Sequence, residues 1–367
     1  MAKAAGDLSN HSVATAVADA VFPTNQHLLA AARANLAPHA WDKLIGGTET
    51  ETTLRRNRLG FDSLAFRPRV QTEAAAIDAT ATFLGHPLRI PVMSAPIGSL
   101  HVFDADGAMA ASRAVARFGS IAFVSSAARE GFEQIGRTVV ATKVLQLAIR
   151  GDLDWCADVL ARARAAGYVA VCVTVDTARL GRQERQIVNN GHGQAAEHPF
   201  RTGLTWTDLS SIRELARMPV VIKGIATRED ASIAVEHGID ALCVSNHGGH
   251  GLDHGRATID VLTEVVEAVH DRAEVILDGG VMRGTDVVKA LARGARATMI
   301  GKLQGIGLAA GGESGLVTAL EILEHEILTC LALLGVGRLG DLGDQHVVSA
   351  RPVGAPTEIS AFPSIPY

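Results

Sequence analysis

From residue 90 onward the chain alternates between two kinds of stretch. Short apolar, mostly β-branched runs end in a polar side chain or glycine, and Ala-rich stretches follow them. The runs are IPVMSAP (90–96), IAFVSS (121–126), KVLQLAI (143–149), AVCVTVD (170–176), PVVIKGI (219–225), ALCVSNH (241–247), EVILDGG (274–280) and ATMIGK (297–302), eight in all. Apolar runs without polar alternation mark strands of a parallel sheet covered on both faces. The connectors 104–118, 152–166, 228–237, 258–270 and 285–293 place Ala and Val at helical spacing, and Thr258 or Thr285 with a following Asp suits a helix start. Eight strand–helix units in a chain of this length predict an α/β fold, a (β/α)8 barrel. The alternative is a doubly wound open sheet, which binds its ligand through a glycine-rich first turn. The first run here carries no GxGxxG.

Three regions follow from this rhythm: a helical cap over 1–89, with helices expected at 25–45 and 50–60, a barrel over 90–345 and a tail over 346–367. The stretch 183–206 is polar, rich in Gly and His, and aperiodic. It follows the fourth run, so it reads as a loop at the active face and a candidate lid.

Composition narrows the function classes. An apolar share of 47% with 20% charged residues excludes a disordered chain. A net charge of -5 argues against nucleic acid as a main partner. Cys156, Cys172, Cys243 and Cys330 lack CxxC spacing, and Cys172 and Cys243 lie inside apolar runs, so buried free thiols are expected rather than disulfides or a zinc site. The N-terminus has no basic region followed by an apolar core, and no run approaches the ~20 apolar residues of a membrane span, so a soluble cytoplasmic protein is expected. Tyr168 and Tyr367 are the only phenols.

Barrel catalysis gathers at the C-terminal ends of the strands. Those ends are polar here: Ser94, Ser125 and Ser126, Gln146, Thr174 and Asp176, Lys223, Ser245 to His247, Asp278 to Gly280, and Gly301 with Lys302. The last two runs suggest a phosphate site, through Asp278, Gly279, Gly280, Arg283, the helix start Gly284–Thr285–Asp286, Gly301 and Lys302. A phosphorylated sugar and a flavin mononucleotide both fit that signal. His247 ends the sixth run with two glycines after it, the placement of a general base. The competing reading of His247, His250 and His254 is a metal site, which the lack of nearby carboxylates disfavours, so no metal is expected. Lys223 fits either a Schiff-base lysine or a fixed charge facing a developing anion.

These residues resemble the FMN-dependent α-hydroxy acid dehydrogenases and oxidases, a family that includes glycolate oxidase, lactate oxidase, mandelate dehydrogenase and flavocytochrome b2. VSNHGGHGLD is similar to the family's active-site signature, and DGGVMRGTDVVKALARGARATMIGK to its phosphate segment. VDTARLGRQE, PVVIKG, PVMSAPIG and ETTLRRNRLGFDSLAFRPRV are similar to further family segments, in the family's order, from about residue 40 to 345. The resemblance implies FMN as cofactor and His247 as the base that takes the substrate's proton while hydride passes to flavin N5. It implies that Asp176 pairs with His247, and that Lys223 stabilises the reduced flavin. Ser125, Gln146 and Thr174 would hydrogen-bond the isoalloxazine ring, with Ser245 nearby, and the backbone of Ala95, Pro96, Ile97 and Gly98 would line it. Asp278 to Gly280, Arg283, Gly301 and Lys302 would hold the ribityl chain and phosphate. A homotetramer is also implied.

The chain departs from the family at the substrate. His250 stands where the signature has an arginine for the substrate carboxylate, and Gln183 stands for a second arginine. Ala148 and Lys43 replace two tyrosines, and Ala127 replaces an aromatic ring. In the phosphate segment Met282 and Lys302 replace arginines, and the lid is shorter than usual. A planar guanidinium is the preferred carboxylate partner. Either Lys43 and His250 rebuild a carboxylate site, or the substrate lacks the carboxylate; the second is the expectation. Ala127 and Ala148 should widen the pocket for a bulky alcohol, an amine or a modified peptide. The expected function is therefore FMN-dependent oxidation of a small-molecule alcohol-type substrate, with oxygen, a quinone or a redox protein as acceptor. The alternatives are an FMN-dependent non-redox isomerase, needing reduced flavin and Mg2+, and a degenerate FMN-binding scaffold; the retained His247 and Asp176 argue against both.

Overall fold

The computed structural model describes residues 22–70, 77–179, 181–190 and 203–362. All eight apolar runs are barrel strands. They are β4 (Val92–Ser94), β5 (Ala122–Ser125), β6 (Lys143–Leu147), β7 (Ala170–Thr174), β8 (Val220–Ile225), β9 (Ala241–Val244), β10 (Glu274–Leu277) and β11 (Ala297–Ile300). Every neighbouring pair is parallel, and β11 pairs with β4 to close the ring. The expected helices lie between them, as α4 (Gly107–Phe118), α6 (Leu153–Ala165), α9 (Arg228–Glu236), α10 (Thr258–Val269) and α11 (Gly284–Ala292).

The strands conceal an in/out alternation that their uniform hydropathy hides. Two separate apolar clusters pack on the two faces of the sheet. Met93, Phe123, Val144, Cys172, Val221, Cys243, Ile276 and Met299 fill the barrel interior. Their neighbours Val92, Val124, Leu145, Val173, Ile222, Val244, Leu277 and Ile300 pack under the helices. Side chains two residues apart share a face, so one register carries the interior residues onward to Ala95, Ser125, Gln146, Thr174, Lys223, Ser245, Asp278 and Gly301. The polar strand ends thus form one inward-facing ring at the C-terminal mouth. All four cysteines are buried, Cys172 and Cys243 as expected.

The cap differs from its expected form. The helix expected over 25–45 is two helices, α1 (Asn25–Asn35) and α2 (Pro38–Ile45), broken at Leu36–Ala37. Pro38 stands at the first turn of α2, where its missing N–H costs nothing, and it drives Ala37 into extended backbone. Helix α3 (Thr52–Asp62) matches the second expected helix. The remainder of the cap is not helical: β1 (Leu64–Phe66) precedes the hairpin β2 (Ala81–Phe83) and β3 (His86–Leu88). A two-residue turn joins the hairpin, with Leu84 and Gly85 both at positive φ. Phe83 and Leu88 from this hairpin close the N-terminal end of the barrel, with Phe83 6.2 Å from the Phe123 ring. The tail adds β12 (Val347–Ser349), which pairs antiparallel with β1.

Three further helices lie between the strands. They are α5 (Phe132–Thr138), α7 (Glu184–Asn190) and α8 (Trp206–Ala216). Helix α7 corrects the aperiodic reading of 183–206, of which 191–202 lie outside the described residues. After β11, α12 (Lys302–Leu334) runs for 33 residues with a kink at Gly311–Gly312 and packs on α1. Among the described residues no helix is long and apolar enough to cross a membrane.

Candidate active site

A cavity of about 600 Å³ opens at the C-terminal mouth of the barrel. That lies within the roughly 300–1,000 Å³ of sites that enclose cofactors and drug-sized ligands. Ala95 to Gly98, Ser125, Gln146, Thr174, Lys223, His247, Asp278 to Gly280, Gly301 and Lys302 line it, together with Lys43, Ala127, Ala148, Gln183 and His250.

His247 Nδ1 lies 3.0 Å from Asp176 Oδ1. A carboxylate only accepts, so Nδ1 carries the proton and Nε2 is the basic nitrogen. Burial opposes ionisation of Asp176, but the His247 ring and the Lys223 ammonium outweigh it and hold its pKa below the usual carboxylate value. The backbone is shaped for this pair at two points. Gly224 has φ +116 at an irregularity in the β8–β9 register, and a Cβ there would lie 2.7 Å from Asp176 Cβ. His247 itself sits at φ +58, a left-handed conformation that a side-chain-bearing residue adopts at some cost. Its N–H donates to Ser245 Oγ (3.1 Å), and its carbonyl accepts from His250 N (3.2 Å).

Lys223 is buried and doubly held. Its Nζ donates to Ser245 Oγ (2.7 Å) and pairs with Asp278 Oδ2 (3.1 Å). Burial works against the charge, but Asp278 and Asp176 prevail and raise the pKa above the ordinary lysine value. An ammonium so held is a poor Schiff-base nucleophile, which favours the fixed-charge reading of Lys223. On the adjacent wall Ser125 Oγ donates to Gln146 Oε1 (2.8 Å), and Gln146 Nε2 donates to Thr174 Oγ1 (3.0 Å).

The residues present fit FMN. Ser125, Gln146 and Thr174 would offer a polar wall to the heteroatom edge of a flavin, and Lys223 would add the charge. Asp278 Oδ1 is buried without a partner among the described residues, an acceptor suited to a ribityl hydroxyl. At the phosphate end, α12 starts at Gly301 with no side chain capping its first turn, so its N–H groups and positive dipole end are available to an anion. Lys302 joins that end, and its Nζ rests 3.2 Å from Gly248 O and 3.3 Å from His250 Nε2.

Two residues expected at the cofactor stand off the cavity wall. Arg283 does not line the cavity: its guanidinium pairs with Glu326 on α12, and Glu326 also accepts from Gly284 N (2.6 Å). The start of α11 is therefore satisfied internally, since Asp286 Oδ2 accepts from both Met282 N and Arg283 N at 3.0 Å. Ser245 lies beneath Lys223 and His247 as a support and does not reach the cavity wall.

Sequence reasoning missed several residues. Arg58 on α3 lines the cavity and binds Gly280 O (2.6 Å), Asp286 (2.7 Å) and Asp62 (3.0 Å), fixing the glycine turn after β10. Asn57 and Asn246 exchange amide hydrogen bonds of 2.9 and 2.7 Å, tying the cap to the His247 turn. Their NR and SNH contexts were visible, but no local signal pairs residues so far apart in sequence.

The substrate side is short of strong anion partners. Burial, with Lys302, His247 and Lys43 close by, holds the His250 imidazole well below its ordinary pKa, so it is neutral. Gln183 is neutral too and accepts from Gln186 on α7. Lys43 and Lys302 are cations near His250, Lys302 Nζ at 3.3 Å from its Nε2, and burial lowers the pKa of both.

The family model for FMN-dependent dehydrogenase matches residues 32–196 and 189–349. A peroxisomal (S)-2-hydroxyacid oxidase of Arabidopsis thaliana is 38% identical over 84% of this chain and 91% of its own length. An L-lactate oxidase of Nostoc is 35% identical over 85% and 94%, and a glycolate oxidase of Spinacia oleracea 34% over 87% and 94%. Among solved structures, mandelate oxidase superposes with a TM-score of 0.84 at 30% identity, covering 91% of this chain and 100% of that one. An arginine-to-leucine variant of mandelate oxidase, solved with 2-hydroxy-phenylacetamide, matches with the same figures. The barrel, its His247–Asp176 and Lys223–Asp278 pairs and these similarities place the chain in the FMN-dependent α-hydroxy acid dehydrogenase and oxidase family, as an oxidoreductase whose cofactor is FMN.

Proposed function

We propose that the enzyme oxidises a bulky alcohol of the 2-hydroxy acid type whose carboxylate is absent or masked, as in an amide or ester. The observation that carries the reaction type is the His247–Asp176 pair on the cavity wall. With Nδ1 committed to Asp176, His247 Nε2 is the atom that accepts the substrate hydroxyl proton. Asp176 then faces a full imidazolium and stabilises it, and its low pKa keeps it ionised for that role. FMN, when bound, supplies the two-electron acceptor for the hydride leaving the carbinol carbon. Lys223 holds its positive charge at the cavity wall without moving, because Ser245 and Asp278 fix it.

The substrate class is supported by what surrounds the base. The two positions where the family carries arginines hold neutral His250 and Gln183, and the ammonium groups of Lys43 and Lys302 are weaker carboxylate partners than a guanidinium fork. Ala127 and Ala148 line the cavity where the family has rings. The matched mandelate oxidases act as a guide to bulk, and one was solved with a neutral amide. Since the matched relatives are named oxidases, oxygen is the acceptor we assign. The test is anaerobic bleaching of the flavin by glycolate, mandelate, mandelamide and methyl mandelate. The expected order puts the amide and ester first and glycolate last by about a hundredfold or more, the range that follows from losing two charge-assisted partners. Glycolate within about tenfold of the best compound would overturn the substrate class.

A further inference from the structure

The C-terminal tail reaches the active site. It leaves β12 at Ser349, is tied to the cap where Ala350 N donates to Ser63 O (2.8 Å), and returns to the core at Phe362, which is 6% exposed. Between these anchors Glu358 lines the same cavity as His247. Its position is set by a three-way clamp. Arg185 Nη2, on α7, lies 2.9 Å from Glu358 Oε1 and 2.5 Å from Glu51 Oε2, and Glu51 Oε1 accepts from Gly47 N (3.1 Å). The clamp therefore joins the cap, the helix after β7 and the tail, three segments far apart in sequence.

Of the three clamped groups only Glu358 faces the cavity; Arg185 and Glu51 stand behind it. Two carboxylates share one guanidinium nitrogen here, so Arg185 uses only part of the acceptor capacity of Glu358. Arg55 on α3 acts on Glu358 through its charge, but its own Nη2 is committed to Thr50 O (2.9 Å), and it does not line the cavity. Burial opposes the charge of Glu358, while hydrogen bonding and Arg185 hold its pKa below the ordinary value, so the cavity meets an ionised carboxylate.

We propose that Glu358 is a specificity-determining residue, which receives a hydrogen-bond donor, an amine or amide N–H, on the end of the substrate remote from the reacting carbon. This rests on reading the cavity as the substrate site. It would explain why the chain places an acid, rather than another apolar side chain, on the wall of a widened pocket, where its charge also acts on Lys302.

The test uses full-length holoenzyme and three mandelamides carrying an aminomethyl, a methyl or a carboxylate group at the para position. In the wild type the aminomethyl compound should be preferred over the carboxylate by about tenfold or more in kcat/KM, mainly through KM. Glu358→Gln should bring that ratio toward one, and Glu358→Lys should invert it. Arg185→Gln should shrink the preference through misplacement of Glu358. Dissociation constants from perturbation of the oxidised flavin spectrum are measured alongside. Binding ratios that shift as stated, without turnover of any compound, would sink the proposed reaction and leave this inference standing. Turnover with a ratio that stays within about twofold of wild type in both Glu358 variants would overturn the inference.

Discussion

Replacing Asp176 by Asn probes the base directly while keeping its shape. The carboxylate lies 3.0 Å from His247 Nδ1, and the two side chains are 14% and 36% exposed. Between unit charges at that distance an effective dielectric near 20 gives about 5–6 kcal/mol. Solvent reaching the histidine and the hydrogen bond that Asn can still offer reduce the net effect to about 2–4 kcal/mol. Because the imidazolium exists only after proton transfer, the loss falls on the chemical step rather than on binding. The flavin bleaching rate in anaerobic stopped flow should therefore drop by about 30- to 1,000-fold, with flavin content and substrate affinity little changed. A loss smaller than about threefold would refute the assignment of His247 as a base supported by Asp176.

Three other perturbations test separate parts of the account. Ala148→Tyr, which restores a ring to the cavity wall, should lower kcat/KM for mandelamide by at least about tenfold while affecting glycolate less; equal effects on both would contradict the widened pocket. Burial pushes the Lys302 ammonium down to about 8, so FMN binding to the apoenzyme, read by flavin fluorescence, should weaken by roughly tenfold per pH unit above that value. Lys302→Met should bind more weakly at neutral pH and lose this dependence. Burial opposes ionisation of Asp253, but hydrogen bonds from Thr50 and Thr53 prevail and hold its pKa at about 2, against a model-peptide value of 3.8. Its stabilisation, about 2 kcal/mol, is complete above pH ~4 and lost as pH falls from there toward ~2. Asp253→Asn should thus lower the urea midpoint at pH 7 about twice as much as at pH 3, and far more than at pH 2.

The strands were legible because each is a continuous β-branched run, and continuous runs are what a doubly covered parallel sheet requires. The same uniformity hid the inward register, which only the separate packing of residues such as Cys172 and Val173 on opposite faces reveals. The hairpin at Ala81–Leu88 escaped because its three-residue strands are too short to show a period, although Gly85 marked the turn. Helix α12 escaped because Gly305, Gly307 and Gly311 to Gly315 lower its apparent helical character; there the lost propensity is offset by close packing, as a Cβ on Gly305 would meet Leu44 and Phe103. At the site, His247, Lys223 and the Ser125–Gln146–Thr174 wall were readable from strand ends. The pairing of Arg283 with Glu326 was not readable, because Glu326 lies two elements later in the chain. Arg58, the Asn57–Asn246 exchange and Glu358 depend on partners more than 130 residues away, and no spacing rule reaches that far.

In the proposed reaction His247 removes the substrate proton while flavin accepts the hydride. It is tested most directly by His247→Asn, purified with its flavin and mixed anaerobically with the best substrate. The variant should stay yellow, bind substrate with a perturbed flavin spectrum and bleach at least about a thousandfold more slowly than wild type. Bleaching at a rate comparable to wild type would contradict it.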